Sequence, residues 1–284
     1  MNMKQLFSLF LAITLLFCSG CSKVTFGYNN FDWYLLYRIN GYTTFNAWQK
    51  EDIHREVDHY MRWHRKNALP EYTRFLQNLH DTVRQDRQIN AGDIAGIKND
   101  SYRLYRKTMG PFILPAARLL KSLDERQIEE LGRNFAETIR EQKEESLGGS
   151  EQENLAKRAE RTLDFVEDMV GSLSSEQKGK IRELSLRLPF ATHYYIEHRE
   201  ANYAKLVALL NNKAEEDKIA EFLWLWLNAP QATRTPRQQQ AIESHDHAID
   251  RMTAQIHGML TDAQKNRLRQ TLSSYIEDFQ SLSQ

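Results

Sequence analysis

An apolar position returns every three or four residues along most of this chain, the pattern of amphipathic helices. From Asn46 to Lys66 the stripe is Trp48, Ile53, Val57, Tyr60 and Met61 or His64, and it resumes after Leu69-Pro70 with Tyr72, Phe75, Leu76 and Leu79. Proline suits the first turn of a new helix, so these two stripes predict an antiparallel hairpin across a short link. Asn90 to Gly96 interrupts the pattern, and Asp93 is placed to cap a helix reaching about Thr108. Gly110-Pro111 breaks it again, with Pro115 opening a short helix through Leu120. Ile128, Leu131, Phe135 and Ile139 then make a clean stripe that runs out in the charged stretch 141–145.

Leu147-Gly148-Gly149-Ser150 is the most flexible-looking link, and the one place where a division of the domain is worth considering. Leu155, Leu163, Phe165, Val166 and Met169 define the next helix, closed by Gly171, and another runs from Ser174 to Leu188-Pro189. A long helix carrying Tyr194, Tyr195 and Tyr203 ends near Asn211-Asn212. Phe222 to Leu227 is apolar all round, either buried or an interaction surface, with burial the expectation. Thr235-Pro236 reads as a cap followed by proline at the first helical position. The last two helices, about Pro236 to Gly258 and Thr261 to Gln280, are expected to be antiparallel neighbours.

Four of these helices begin with the same local arrangement. It is Phe45, Asn46 and Gln49; Leu123, Asp124 and Gln127; Leu173, Ser174 and Gln177; and Leu260, Thr261 and Gln264. A short polar side chain three positions before glutamine can accept the third amide of the helix while the glutamine reaches back to the cap amide. The apolar residue ahead of each cap can staple onto the following turn, best at Leu123 with Ile128. The intervals between copies are unequal, so they are helix starts and not the period of a solenoid.

Six prolines and 12 glycines in 284 residues leave room for long helices and little for a strand-rich fold. The expected fold is all-α, about ten helices packed mainly as antiparallel hairpins in an elongated bundle. The 38 basic and 38 acidic residues balance, which gives no electrostatic footprint for nucleic acid.

Residues 1–20 look like a leader. Lys4 supplies a positive start and Leu6 to Phe17 an apolar run too short to span a bilayer stably. Ser19 and Gly20 directly before Cys21 resemble the bacterial lipobox, with Cys18 where leucine is usual. The resemblance implies that Cys21 is acylated with palmitate-type chains and becomes the first mature residue. Ser22, where an aspartate would resemble the inner-membrane retention signal, points to the periplasmic face of the outer membrane. Residues 21–45 then form a lipidated tether with a short aromatic helix, docked into the core or lying against headgroups, docking being the expectation. The helical domain is 46–284. Both cysteines are consumed by this reading, so the mature chain has neither disulfide nor thiol nucleophile.

Candidate chemistry is sparse. His54 and Asp58 stand one turn apart and could ligate together, but His59 points elsewhere, and neither a His-Glu-x-x-His pattern nor a cysteine ligand accompanies them. His245 and His247 flank Asp246 on opposite helix sides. No nucleophile elbow, phosphate loop or dinucleotide fingerprint is present. We therefore expect no catalytic residues, metal or cofactor.

The Leu-Thr-x-x-Gln element of Leu260 to Gln264, with its looser copies, resembles that of the Spy and CpxP periplasmic family, helical cradles that act as ATP-independent chaperones or sensor adaptors. It also resembles the related metal-responsive periplasmic sensors. Cys21, Tyr28-Asn29, Asp32-Trp33, Trp63-His64-Arg65 and Leu69-Pro70 are similar to a family of uncharacterised Gram-negative lipoproteins carrying this element. The resemblance implies a non-enzymatic envelope helper that binds unfolded or partner polypeptides. Trp63, Tyr72, Tyr194, Tyr195, Trp224 and Trp226 are the candidate polypeptide-binding residues. An adaptor or scaffold for one envelope partner is the alternative, and a metal sensor a more distant one.

Overall fold

The computed structural model describes residues 23–85 and 87–284; the leader and Cys21 lie outside the described residues. Helix starts are set by reciprocal capping. Asn46, Asp124, Ser174 and Thr261 each accept the amide of their glutamine with the side chain, while the glutamine accepts the cap amide in return. The same device, with other partners, stands at Ser150 with Glu153 and Thr235 with Gln238. Near residue 90 the cap is Asn90 and not Asp93. Asp93 fills the third helical position, where Arg87 clamps both carboxylate oxygens at 2.7 and 2.9 Å and draws its pKa down to about 2.

The resulting helices are α1 (Lys23–Asn29), α2 (Phe31–Asn40), α3 (Ala47–Trp63), α4 (Leu69–Arg84), α5 (Ala91–Met109), α6 (Ile113–Lys121) and α7 (Glu125–Leu147). After the turn at Gly148–Ser150 follow α8 (Glu151–Val170), α9 (Ser175–Leu186), α10 (Thr192–Asn211), α11 (Glu216–Asn228), α12 (Pro236–Gly258) and α13 (Asp262–Leu282). Among the described residues there is no strand, so the fold is all-α as expected. Gly171 closes α8 with φ +80°, a left-handed backbone that glycine adopts without a Cβ penalty. Lys213 closes α10 with φ 53°, and the amide of Ala214 reaches the carbonyl of Leu209 across it, a Schellman ending.

Two joints differ from expectation. α3 and α4 are not a hairpin: the backbone stays helical through Trp63 to Leu69, and His64–Ala68 forms one π-helical turn. The amide of Leu69 bonds the carbonyl of His64, one residue wider than an α turn. Proline has no amide and its ring collides with the carbonyl four residues back, and the wider turn accommodates Pro70 without ending the helix. Nor are α12 and α13 each other's main partners. α12 lies along α5, where Lys98 meets Asp250 at 2.8 Å, and α13 lies along α4. Arg65 reaching Leu282 and Tyr72 touching Phe279 show that α4 and α13 run antiparallel.

α7 and α10 pair antiparallel in the same way, with Phe135 stacked on Tyr203 and Lys143 bonded to Glu200. α8 and α9 are the hairpin of neighbours. The main core gathers Phe45, Ile53, Val57, Leu123, Leu131 and Phe135 with Leu206, Ile219 and Phe222 from α10 and α11. A second core gathers Leu163, Val166, Leu173, Ile181, Ile256 and Leu260. Because α10 and α11 return to the first core, the turn at Gly148–Ser150 is not a boundary between the two cores.

Candidate functional site

The four capping glutamines do more than start helices, because they meet in pairs. Gln49 and Gln127 face each other in full burial, Gln127 Nε2 donating to Gln49 Oε1 at 2.7 Å and Gln49 Nε2 to Gln127 Oε1 at 3.2 Å. Gln177 and Gln264 repeat the exchange at 2.8 and 2.9 Å. Each glutamine also donates to the backbone carbonyl two residues before its partner's cap. The acceptors are Ser122 and Thr44 in the first pair and Met259 and Ser172 in the second. A primary amide has two donors and an acceptor with two lone pairs, and here every one is used.

The first pair is clamped further. Glu130 accepts from the amide and hydroxyl of Thr44 and the hydroxyl of Thr43, bonds that hold its carboxyl below the usual range. Glu130 thereby locks the segment before α3 onto α7. The apolar residues ahead of the caps are all buried, Phe45 and Leu123 in the main core and Leu173 and Leu260 in the second.

The π turn builds a socket for α1. His64 is buried among Tyr28, Tyr60 and Tyr72, with ring centroids 5.5 to 5.6 Å away, and its Nδ1 lies 2.8 Å from the Tyr28 hydroxyl. Burial drives the imidazole down to about 4 and the Tyr28 phenol up to about 12. Near neutral pH the imidazole is neutral and the phenol protonated, and their hydrogen bond docks α1. Arg65 covers the Tyr28 ring at 5.1 Å and bonds Asn29 Oδ1 and the Leu282 carbonyl, bringing both ends of the described chain to one point.

The six candidate polypeptide-binding aromatics occupy three separate places. Trp63 and Tyr72 belong to this socket, and Tyr72 shares a 2.5 Å hydrogen bond with Thr108. Tyr194 and Tyr195 face α12 through Arg237 and Asp246. On α11, Trp226 packs edge-on to Tyr203, while Trp224 is half exposed although burial was expected for its helix. An apolar groove lies instead between α7 and α10, a cleft of about 390 Å³ lined by Phe135, Ile139, Tyr203 and Val207. Its rim has exposed Ala136, Ala204 and Ala208. Periodicity marks Phe135 and Ile139 as core-facing; only the approach of α7 and α10 sets them at the floor of a cleft.

His54, Asp58 and His59 are exposed on α3. Among the described residues no three histidine, cysteine or acidic side chains converge as a metal site would require.

No curated protein and no solved structure matches the chain. Residues 41–229 match a family described as one of unknown function, DUF6279, a span holding the first glutamine pair and the interhelical groove but stopping before Gln264. With about two thirds of its length matched, the chain belongs to this family.

Proposed function

We propose that this is a lipid-anchored, non-enzymatic envelope protein that binds apolar polypeptide segments in the groove between α7 and α10, at the periplasmic face of the outer membrane. The observation that carries the reading is the groove itself: an open apolar floor, small residues at its rim, and Glu200 at its edge. Along α7 it extends from Gly132 to Ile139, about 10 Å, and along α10 from Glu200 to Asn211, about 16 Å. That is room for two or three side chains of an amphipathic helix or a loosely folded chain. The capping-box resemblance to the Spy and CpxP family supports a chaperone-like use. The groove's short length favours the second reading, an adaptor for one envelope partner.

The variant Ala136→Glu with Ala204→Glu tests this, since both alanines are exposed and the charges would project over the floor. The mature protein is expected to retard aggregation of an unrelated denatured client without nucleotide, and the variant to lose that effect with an unchanged unfolding midpoint. Loss of capture of one envelope protein, without any effect on clients, would favour the adaptor. Unchanged behaviour in both assays would rule the groove out.

A further inference from the structure

α2 is apolar on two opposite sides, and only one of them is covered. Leu35, Leu36 and Ile39 pack against the main core. At about 100° per residue, Trp33, Tyr37, Tyr34 and Phe31 follow one another around the opposite half of the helix. They are 65, 64, 46 and 37% exposed, and Phe26 of α1 is 68% exposed. Trp33 stacks on Tyr37 at 5.7 Å and Phe31 on Tyr34 at 5.9 Å, so the rings form two ordered layers.

The helix that carries them is docked at both ends. Tyr28 is bonded to His64, Thr25 reaches Asp278, and the Tyr42 ring meets Phe135 at 5.6 Å just after α2. A cluster of aromatic rings left in water by a helix that is otherwise docked needs a cover. The chain itself indicates which. Lys23 begins α1 two residues after Cys21, a reach of at most about 7 Å. The apolar run Leu6 to Phe17 ends only six residues before α1. With Cys21 acylated, the start of α1 is held within about 7 Å of the membrane surface, and Phe26 and the rings of α2 follow directly from it.

We propose that the Phe26, Phe31, Trp33, Tyr34 and Tyr37 face lies in the headgroup region of the bilayer and fixes the orientation of the helical domain on the membrane. Tryptophan and tyrosine concentrate at this depth because an apolar ring with one polar tip is accommodated there. Arg38 is the only basic residue on that half of α2, so the contact is driven by the rings and not by anionic lipid. The proposal rests on the membrane-anchored reading of the N-terminus but adds a second contact to it, and the two are separable by experiment.

The full protein, as matured by the cell, is placed in phosphatidylethanolamine and phosphatidylglycerol vesicles whose acyl chains carry bromine, a short-range quencher of indole. Incorporation of a palmitate analogue, abolished by Cys21→Ala, reports the anchor alone. The fluorescence difference between wild type and Trp33→Phe reports the face, since phenylalanine keeps the contact but removes the signal. That difference is expected to be largely lost in brominated vesicles, at high salt and without phosphatidylglycerol alike. An equal difference in brominated and plain vesicles overturns the proposal, whatever the acylation result. A doubled mass in mild detergent together with unquenched Trp33 would assign the face to a second copy of the chain, which overturns it equally. Quenching of Trp33 without acylation would remove the anchor reading and leave this one standing.

Discussion

A glutamine at the third position of a helix can give as well as receive, and a glutamate there can only receive. At Ser150 the box uses Glu153, which has only its own cap to satisfy. In the two glutamine pairs the amide nitrogen is needed as well, for the partner's oxygen and a carbonyl of the opposite loop. Gln127→Glu would keep the cap but aim a buried carboxylate at Gln49 Oε1 and the Thr44 carbonyl. Gln49 Oε1 would keep only the Asn46 amide, the Thr44 carbonyl would go unpaired and a charge would be desolvated, at a cost of about 3 kcal/mol. Glu153→Gln should leave stability nearly unchanged, being an exposed change that keeps its cap. Urea midpoints compare the two. The Gln127→Glu loss should also shrink as pH falls through the carboxylate range, because a protonated acid regains one donor. A loss no greater than that of Glu153→Gln would reduce the pairs to ordinary caps. The caps were legible in the sequence because capping is local. The pairing was not, because it joins residues 78 and 87 positions apart and Gln238 shows that the same residue can stand alone.

At the scale of elements, the π turn shows two local rules meeting. Leu69-Pro70 ordinarily marks a new helix, and the apolar stripes on either side ordinarily mark a hairpin. The chain satisfies the proline by widening one turn, so α3 and α4 stay in line and α4 is free to lie along α13. Such a turn is equivalent to one residue inserted into an α-helix. Deleting exposed Asn67 should restore α spacing while keeping both flanks in phase, but would place Pro70 against the carbonyl four residues before it. The deletion alone is expected to cost about 3 kcal/mol, and most of that should return when it is combined with Pro70→Ala. Thermal unfolding of the two variants decides it; equal destabilisation would mean that the turn is required for another reason, such as presenting His64. Helix existence was legible almost throughout because caps and stripes agree along most of the chain. Partner choice was not: α13 leaves a turn held by Gln264 to Gln177, which directs Leu272 toward Val83 and Met169 and lays α13 along α4.

At the scale of the whole molecule, the apolar cores, the glutamine pairs and the two ends of the described residues form one connected frame, and His64 sits where those ends meet. Its folded pKa of about 4 lies below the ordinary 6.5 because burial opposes the charged ring. The unfolded chain therefore takes up a proton near pH 6.5 while the folded chain resists until near 4. Stability is full above pH 6.5 and is lost as pH falls toward 4, below which this residue adds no further loss. His198 and His257 are lowered by burial too and act in the same direction. The carboxylates held low by their partners, such as Asp93 and Glu130, act mainly below pH 5, and comparison with a variant lacking only His64 removes their share. Between pH 7 and 5 His64 should account for about 1 kcal/mol after solvent screening is allowed for. His64→Gln can still accept the Tyr28 hydroxyl but does not titrate, so its stability should fall less over that interval. Hydrogen exchange should find the wild-type loss first in α1 and the last turn of α13, which Tyr28 and Arg65 hold. If α1 and α13 kept their protection at pH 5 while another region opened, the acid response would belong to His198 or His257, and the socket would be only a packing joint.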